Sequence, residues 1–455
     1  MFRLKTYPSS PTTTAPVTVA DGPARGRIAR AVALACLGLA FGLPQYACAA
    51  ESAVDSAQSP GAPRALTLRD AVTLAVTSNP TRVKAANEIT AAGFEHETAL
   101  WARFPTVSVD ASSTGSRTAG AASTTVRADQ PLWTGGRITG QIESTKALLT
   151  AAQLAESDTR RKLAEDTSVA YINWMYAQER IEIARGAVDQ LAALLQYARR
   201  RESEGLASAA DVSIGVARHG SVLAQIEDLK GAVDNARAQL EALVVTRVSQ
   251  GTRVSVPPVS ASAIEEAEKA YLDLSQLILQ RRSEVESARA QADVRKSQMY
   301  PKVVLRAEHL TYQNSALSND SRASIVVQFT PDAGLASYSS YQAAASRIDS
   351  ALAQLAADEN ATRLRARTNS SDYTATRRQV EELTPQVQAL ESAASSFMRQ
   401  FEAGRKTWLD VLNTHKETLE ARLSLSRAIN SRDVAALRLM VNSGSFARWL
   451  GVPEK

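Results

Sequence analysis

The sequence contains few residues of the types that bind metals, form disulfides or build active sites. Its two cysteines, Cys36 and Cys48, both fall within the first fifty residues, and aromatic residues make up only 5% of the 455 residues. The four histidines are scattered singly, at His96, His219, His309 and His415. Beyond residue 50 the chain therefore has no disulfide and no thiolate ligand. The isolated histidines do not indicate a metal site.

Motifs that carry out chemistry are absent as well. The sequence contains no Gly-rich phosphate loop, no nucleophile elbow and no zinc-type helix motif. Gly135-Gly136 marks a turn before a helix, but it lacks the following Lys and Ser or Thr that phosphate binding needs. We therefore predict a protein that is not an enzyme and uses no cofactor or metal.

The excess of positive charge is concentrated at the N-terminus. The chain carries 52 Lys and Arg against 47 Asp and Glu, a formal charge of +5. Within residues 1–50, five basic residues stand against one aspartate, which leaves only +1 for residues 51–455. A groove that binds nucleic acid needs basic residues clustered on the folded body. We therefore expect no nucleic-acid partner.

Residues 1–50 have the pattern of a secretory signal peptide. Three arginines precede an apolar run over residues 31–43, and Ala47-Cys48-Ala49 follows it. This order of positive, apolar and small residues is typical of a cleaved leader. An uncleaved membrane anchor is one alternative, and a lipid on Cys48 is another. After cleavage, we expect residues 51–65 to form a flexible N-terminal segment.

Two copies of one pattern make up the rest of the chain. The series Arg200, Gly205, Asp211, Val212 recurs as Arg399, Gly404, Asp410, Val411, at a constant offset of 199 residues. Self-similarity at a fixed offset indicates an internal repeat. We predict a first repeat over 66–248, a linker over 249–270 that includes Pro257-Pro258, a second repeat over 271–443 and a C-terminal tail over 444–455.

The residues before the first repeated glycine predict a very long helix. Proline is absent from residues 132–256, and apolar residues recur at spacings of three and four over 181–195, which is the pattern of a coiled coil. From Arg137 to Gly205 such a helix would extend for about 100 Å. In the second repeat we expect Pro385 to kink or interrupt the corresponding helix.

Each repeat also contains two segments with the alternation of a β-strand that has one apolar face. The segments cover residues 107–112, 124–133, 303–312 and 324–329. Such strands can cap a soluble helical bundle, or they can cross an outer membrane as part of a closed sheet. Four strands cannot close alone, because single-chain barrels begin at eight strands. The sequence favours an oligomer in which several copies, for example three, close the sheet together.

Several segments together resemble the TolC-like outer membrane factors of Gram-negative bacteria. They are residues 66–71, Asn79-Pro80, the strand starts Phe104-Pro105 and Tyr300-Pro301, residues 130–137, and the two tip motifs over 204–212 and 401–412. The resemblance implies an α+β membrane protein, a homotrimeric channel-tunnel in which long antiparallel coiled-coil helices form a periplasmic tunnel. Four strands per protomer would contribute to a shared 12-stranded β-barrel in contact with outer-membrane lipid.

The resemblance also assigns roles to residues at the two tips. A periplasmic gate would use Asp211 on the first hairpin and Phe401, Arg405 and Lys406 on the second. Phe401 stands where the family has tyrosine, so one closing hydrogen bond should be missing. The entrance would be lined by Asp410 and, where the family has a second acid, by Asn413. Adaptor proteins would dock on the tip residues Glu204, Gly205, Leu206, Ala207, Ala403, Gly404 and Arg405.

The resemblance implies export from an inner-membrane pump through a periplasmic adaptor protein. The segment over 400–412 looks more like the type I protein-secretion members, whose pump is an ABC transporter. The first alternative is the outer-membrane component of a multidrug efflux system with a proton-driven pump. An alternative of another class is a periplasmic coiled-coil protein with a structural or adhesive role.

Overall fold

A computed structural model describes the part of the chain that follows the predicted leader. The described residues are 66–113, 122–260, 262, 264–265, 271, 275–312, 318–330 and 334–451. The signal peptide predicted over 1–50 and the flexible segment predicted over 51–65 lie outside the described residues. Parts of the predicted linker and of the turn between the last two strands lie outside them as well.

Apart from α1 and the short last helix, the described chain contains the same series of elements twice, and equivalent helices have nearly equal lengths. The first series is α1 (Leu68–Ser78), α2 (Pro80–Trp101), β1 (Thr106–Ser113), β2 (Ala122–Trp133), α3 (Arg137–Ser203) and α4 (Ala209–Val244). The second series is α5 (Gln276–Ser297), β3 (Lys302–Tyr312), β4 (Asp320–Gln328), α6 (Ala336–Glu402) and α7 (Trp408–Asn442), followed by the short α8 (Ser445–Leu450). Both α3 and α6 have 67 residues, which corresponds to about 100 Å of helix.

The first two helices are separated at Asn79. The Thr67 side chain caps α1, and the Asn79 side chain accepts a hydrogen bond from Thr81 N at the start of α2. Pro80 occupies the first turn of α2, where a missing backbone N–H costs nothing. The Asn79 amide also donates to the Leu243 carbonyl oxygen at 2.9 Å, and this bond ties the break to the end of α4.

The four strands form one antiparallel sheet in the order β1-β2-β3-β4. Val109 pairs with Val126, Arg127 pairs with Glu308, and Leu305 pairs with Ile325. Among the described residues, β1 and β4 each have a partner strand on one side only. The sheet therefore has two open edges, which a further strand can join.

The helices pack as antiparallel hairpins, α3 with α4 and α6 with α7, and α3 also packs against α7. The residues of the predicted coiled-coil pattern form the contact, because Ile181, Ala184, Leu191 and Leu195 are all buried. A second, larger core lies near the middle of α3. There the Tyr171 hydroxyl donates to the carbonyl oxygens of Leu66 and Thr252, at 2.8 and 2.7 Å.

The expected interruption at Pro385 does not occur, because α6 is continuous from Ala336 to Glu402. Pro385 removes one backbone hydrogen bond from the helix, a cost of about 3 kcal/mol. The proline ring is exposed, while the neighbouring Val387 is buried. Packing of α6 along α7 holds the helix together on the side away from the ring. Among the described residues, none of the helices is both long and apolar enough to cross a membrane.

Candidate functional site

The first tip, residues 204–208, connects α3 to α4 in a compact turn. Gly205 adopts a φ of 72°, a conformation that favours glycine. Leu206 N donates to the Arg201 carbonyl oxygen at 2.7 Å and closes the end of α3. Ser208 and Asp211 then form a capping box at the start of α4. The exposed Leu206 side chain is presented at the end of the hairpin.

The second tip, residues 403–407, repeats the geometry of the first. Gly404 has the same φ of 72°, and Arg405 N donates to the Gln400 carbonyl oxygen at 2.8 Å. Thr407 and Asp410 form the capping box of α7. Glycine after each long helix and Ser or Thr three residues before Asp are local signals. They explain why the sequence repeat marks both turns.

The residues predicted for the gate lie at the ends of the two hairpins, which contact each other through Trp408. Their charged groups do not meet. The Asp211 carboxylate accepts from the Ser208 hydroxyl at 2.8 Å and from Ser208 N at 3.2 Å. Lys406 Nζ lies 4.2 Å from the centroid of the Phe397 ring. Among the described residues, Asp211 has no ion pair with Lys406 or Arg405. A gate link through Asp211 would have to come from a second copy of the chain.

The predicted entrance residues Asp410 and Asn413 lie one turn apart on α7. Hydrogen bonds from Thr407 hold the pKa of the Asp410 carboxyl below its ordinary value, and the charge of Lys406 adds to this effect. Lys406 Nζ is 4.0 Å from Asp410 Oδ2. Arg218 Nη2 on α4 donates to Asn413 Oδ1 at 3.4 Å. Within each chain, the Asp410 carboxylate therefore has one cationic side chain beside it, that of Lys406, and Arg218 lies beside Asn413.

The second hairpin also contributes the indole of Trp408, which was not predicted as a site residue, beside the predicted Phe401. Phe401 packs edge-on against Tyr197 of α3, with ring centroids 5.9 Å apart, and tilted against Trp408, at 5.5 Å. The Trp408 indole Nε1 donates to the Asp211 carbonyl oxygen at 2.8 Å. The available signal was a tryptophan directly after the Thr407 cap, in a chain with five tryptophans.

The sheet has one apolar face that no other described element covers. Val107, Val109, Ile325 and Val327 are between 60% and 68% exposed. The opposite face carries ion pairs that cross the strands. Glu308 contacts Arg127 at 2.8 Å and Arg322 at 2.7 Å, and Arg306 contacts Asp129 at 2.7 Å. Such a division suits a sheet between lipid and an aqueous interior, and it does not suit a cap on a soluble bundle.

Comparisons with known proteins agree with this geometry. Residues 72–244 match the outer membrane efflux protein family. The chain is 24% identical over 401 residues to the cobalt-zinc-cadmium resistance protein CzcC of Cupriavidus metallidurans, with 85% of this chain and 93% of that protein covered. The outer membrane protein VceC of Vibrio cholerae has a TM-score of 0.72 at 18% identity, covering 85% of this chain and 97% of its own. The CmeC outer membrane channel of Campylobacter jejuni has a TM-score of 0.73 at 13% identity, covering 83% and 86%.

The described elements have the fold of the TolC-like outer membrane channels. The match to the outer membrane efflux protein family covers residues 72–244, and the likeness to CzcC extends over 85% of the chain. The matched family and the similar structures are channels and not enzymes. The predicted resemblance and fold class are confirmed, and the predicted location agrees with the matched family. The comparisons do not test the roles predicted for the gate, entrance and docking residues.

Proposed function

We propose that this protein is the homotrimeric outer-membrane exit channel of a tripartite efflux pump, working with a periplasmic adaptor and an inner-membrane pump. Its open-edged sheet carries the proposal, because among the described residues β1 and β4 have no partner strand on their outer sides and nothing covers the apolar face. Pairing of these edges between copies removes the unsatisfied backbone groups from lipid. The long helical hairpins would then continue the passage through the periplasm.

The cargo is better described by the efflux alternative than by type I protein secretion, which the comparisons do not support. We propose divalent transition-metal cations as the cargo, since the related CzcC is a cobalt-zinc-cadmium resistance protein. Among the described residues, no group of three His, Cys, Asp or Glu side chains is placed to hold a metal ion.

A complementation experiment tests both the function and the cargo. A strain that lacks this gene should become sensitive to cobalt, zinc and cadmium salts, and the full-length protein should restore growth. Growth on hydrophobic drugs and the amount of protein released to the medium are measured in parallel. Rescue on drugs alone would reassign the cargo to the multidrug class, and rescue of protein release alone would restore the type I secretion hypothesis.

We infer that the adaptor docks on the two tips. Leu206 presents an exposed apolar side chain at the first tip, which is the kind of group that anchors a partner. Leu206→Glu should abolish co-purification of the adaptor with the trimer. Leu364→Glu is the matched control, because Leu364 is equally exposed on α6 but lies far from the tip in the chain. Equal loss in both variants would place docking elsewhere.

A further inference from the structure

The ends of the two hairpins in one chain are joined by an aromatic cluster with one cation. We call Tyr197, Arg201, Phe401 and Trp408 the entrance latch. Phe401 and Trp408 are only 9% and 5% exposed. The cluster brings together α3, α6 and α7, and the Trp408 indole reaches α4 through the Asp211 carbonyl oxygen. All four helices that end at the tips are therefore tied at one point.

Arg201 completes the latch from the last turn of α3. Its Cζ lies 5.1 Å from the centroid of the Phe401 ring and 5.9 Å from that of Tyr197. Its Nε is buried and has no hydrogen-bond partner among the described residues. A guanidinium against aromatic faces is held by cation–π attraction and by stacking of its flat group. The cation is therefore directed to the rings and not to a carboxylate.

Gly215 on α4 makes room for the Trp408 indole. A Cβ atom at this position would lie 3.3 Å from Trp408 Cζ2 and 3.1 Å from Leu195 Cδ1. Both distances are shorter than ordinary van der Waals contact, so the indole fits here because residue 215 has no side chain. The hydrogen bond from Trp408 Nε1 to Asp211 at 2.8 Å depends on this close approach of α7 to α4.

We propose that Trp408 and Arg201 are positioning residues that hold the two hairpin ends together and so keep the channel entrance narrow. This inference rests on the proposed channel function. Within one chain, the Asp211 carboxylate accepts a hydrogen bond from the Ser208 hydroxyl. Asp211 contributes only its backbone carbonyl oxygen to the entrance latch. The missing hydroxyl at Phe401 is thus replaced by ring contacts and by a hydrogen bond from the indole of Trp408, seven residues further along the chain at the start of α7.

Single-channel recording of the full-length protein in planar bilayers tests the latch. Trp408→Phe keeps a ring but removes the donor, and we expect the open fraction to rise about fivefold, the effect of losing one buried hydrogen bond. Trp408→Ala should raise it further. Arg201→Met should also raise it, whereas Arg200→Met should not, because Arg200 lies in the same last turn with its side chain exposed.

Two further readouts separate a latch from general damage to the fold. The fluorescence of Trp408 is obtained as the difference between a protein that contains Trp408 and the same protein with Trp408→Phe. Acrylamide should quench this fluorescence more strongly in Arg201→Met than in the wild type. Melting temperatures of trimers in detergent should fall by no more than about 2 °C in Trp408→Phe. If the wild type forms channels and none of the latch variants changes the open fraction, the latch is overturned. Equal effects of Arg200→Met and Arg201→Met on the open fraction would also overturn it. A wild-type protein that forms no channels would instead overturn the proposed function.

Discussion

Replacing Val126 by lysine places a charge on the apolar face of the sheet, near the middle of β2. Val126 is 39% exposed and pairs with Val109 and His309. It is the fifth of 12 residues in β2, and strands of 9–11 residues span a membrane. A lysine near the bilayer midplane costs about 2–4 kcal/mol. We expect each chain of Val126→Lys to lose that amount of folding free energy.

The adjacent residue provides the matched control. Thr125 points to the opposite face and pairs with Asp110, so Thr125→Lys places the same charge beside a carboxylate on the polar face. We expect a change within about 0.5 kcal/mol. The measurement is guanidinium unfolding in lipid vesicles, followed by tryptophan fluorescence. Equal destabilisation by both lysines, or a larger loss at residue 125, would refute the assignment of the apolar face to lipid.

Three further predictions concern buried and titrating groups of the helices. Tyr176→Phe should destabilise the protein by about 1.5–3 kcal/mol in chemical unfolding, because the Tyr176 hydroxyl donates at 2.6 Å to the buried Asp433 carboxylate. Tyr338 is exposed, so Tyr338→Phe should have no effect. Burial and the charge of Arg422 lower the pKa of His415 below its ordinary 6.5. The free energy of unfolding should therefore be highest above pH 6.5 and should fall as the pH drops below that value. His415→Gln should remove this dependence of the unfolding free energy on pH. Because Thr407 lowers the pKa of Asp410 below its ordinary 3.8, more than half of the Asp410 carboxyls should be ionised at pH 4. Block of the channel by multivalent cations should therefore persist at that pH in the wild type and vanish in Asp410→Asn.

Local signals explain why the tips were predictable. A glycine after a long helix and a Ser or Thr three residues before Asp specify a turn within about eight residues. The structure places Gly205 and Gly404 at the same φ and gives both following helices a capping box. The alternation of the strands likewise needs no distant residue. These features depend only on residues that are close in the chain, so a single sequence is enough to predict them.

Contacts between distant residues explain what was not predicted. Tyr197 and Phe401 are in contact although about two hundred residues separate them in the sequence. Neither segment contains a local signal that predicts this contact. A phenylalanine in place of tyrosine predicts a lost hydrogen bond, and only the structure shows Trp408 supplying a different one. Pro385 illustrates the same point, because a local rule predicts a break that packing against α7 prevents.

The charges near Asp410 constrain how a cation could use this entrance. Lys406 lies 4.0 Å from the Asp410 carboxylate, and Arg218 bonds to Asn413 one turn further along α7. Lys406 offsets part of the charge of the Asp410 carboxylate in each chain and weakens the attraction of metal cations without removing it. If cobalt, zinc or cadmium is the cargo, passage must follow from delivery by the pump and from widening of the entrance. The feature that controls export would then be the contact between hairpins, and the Asp410 carboxylates would add a weaker site at which multivalent cations block the channel.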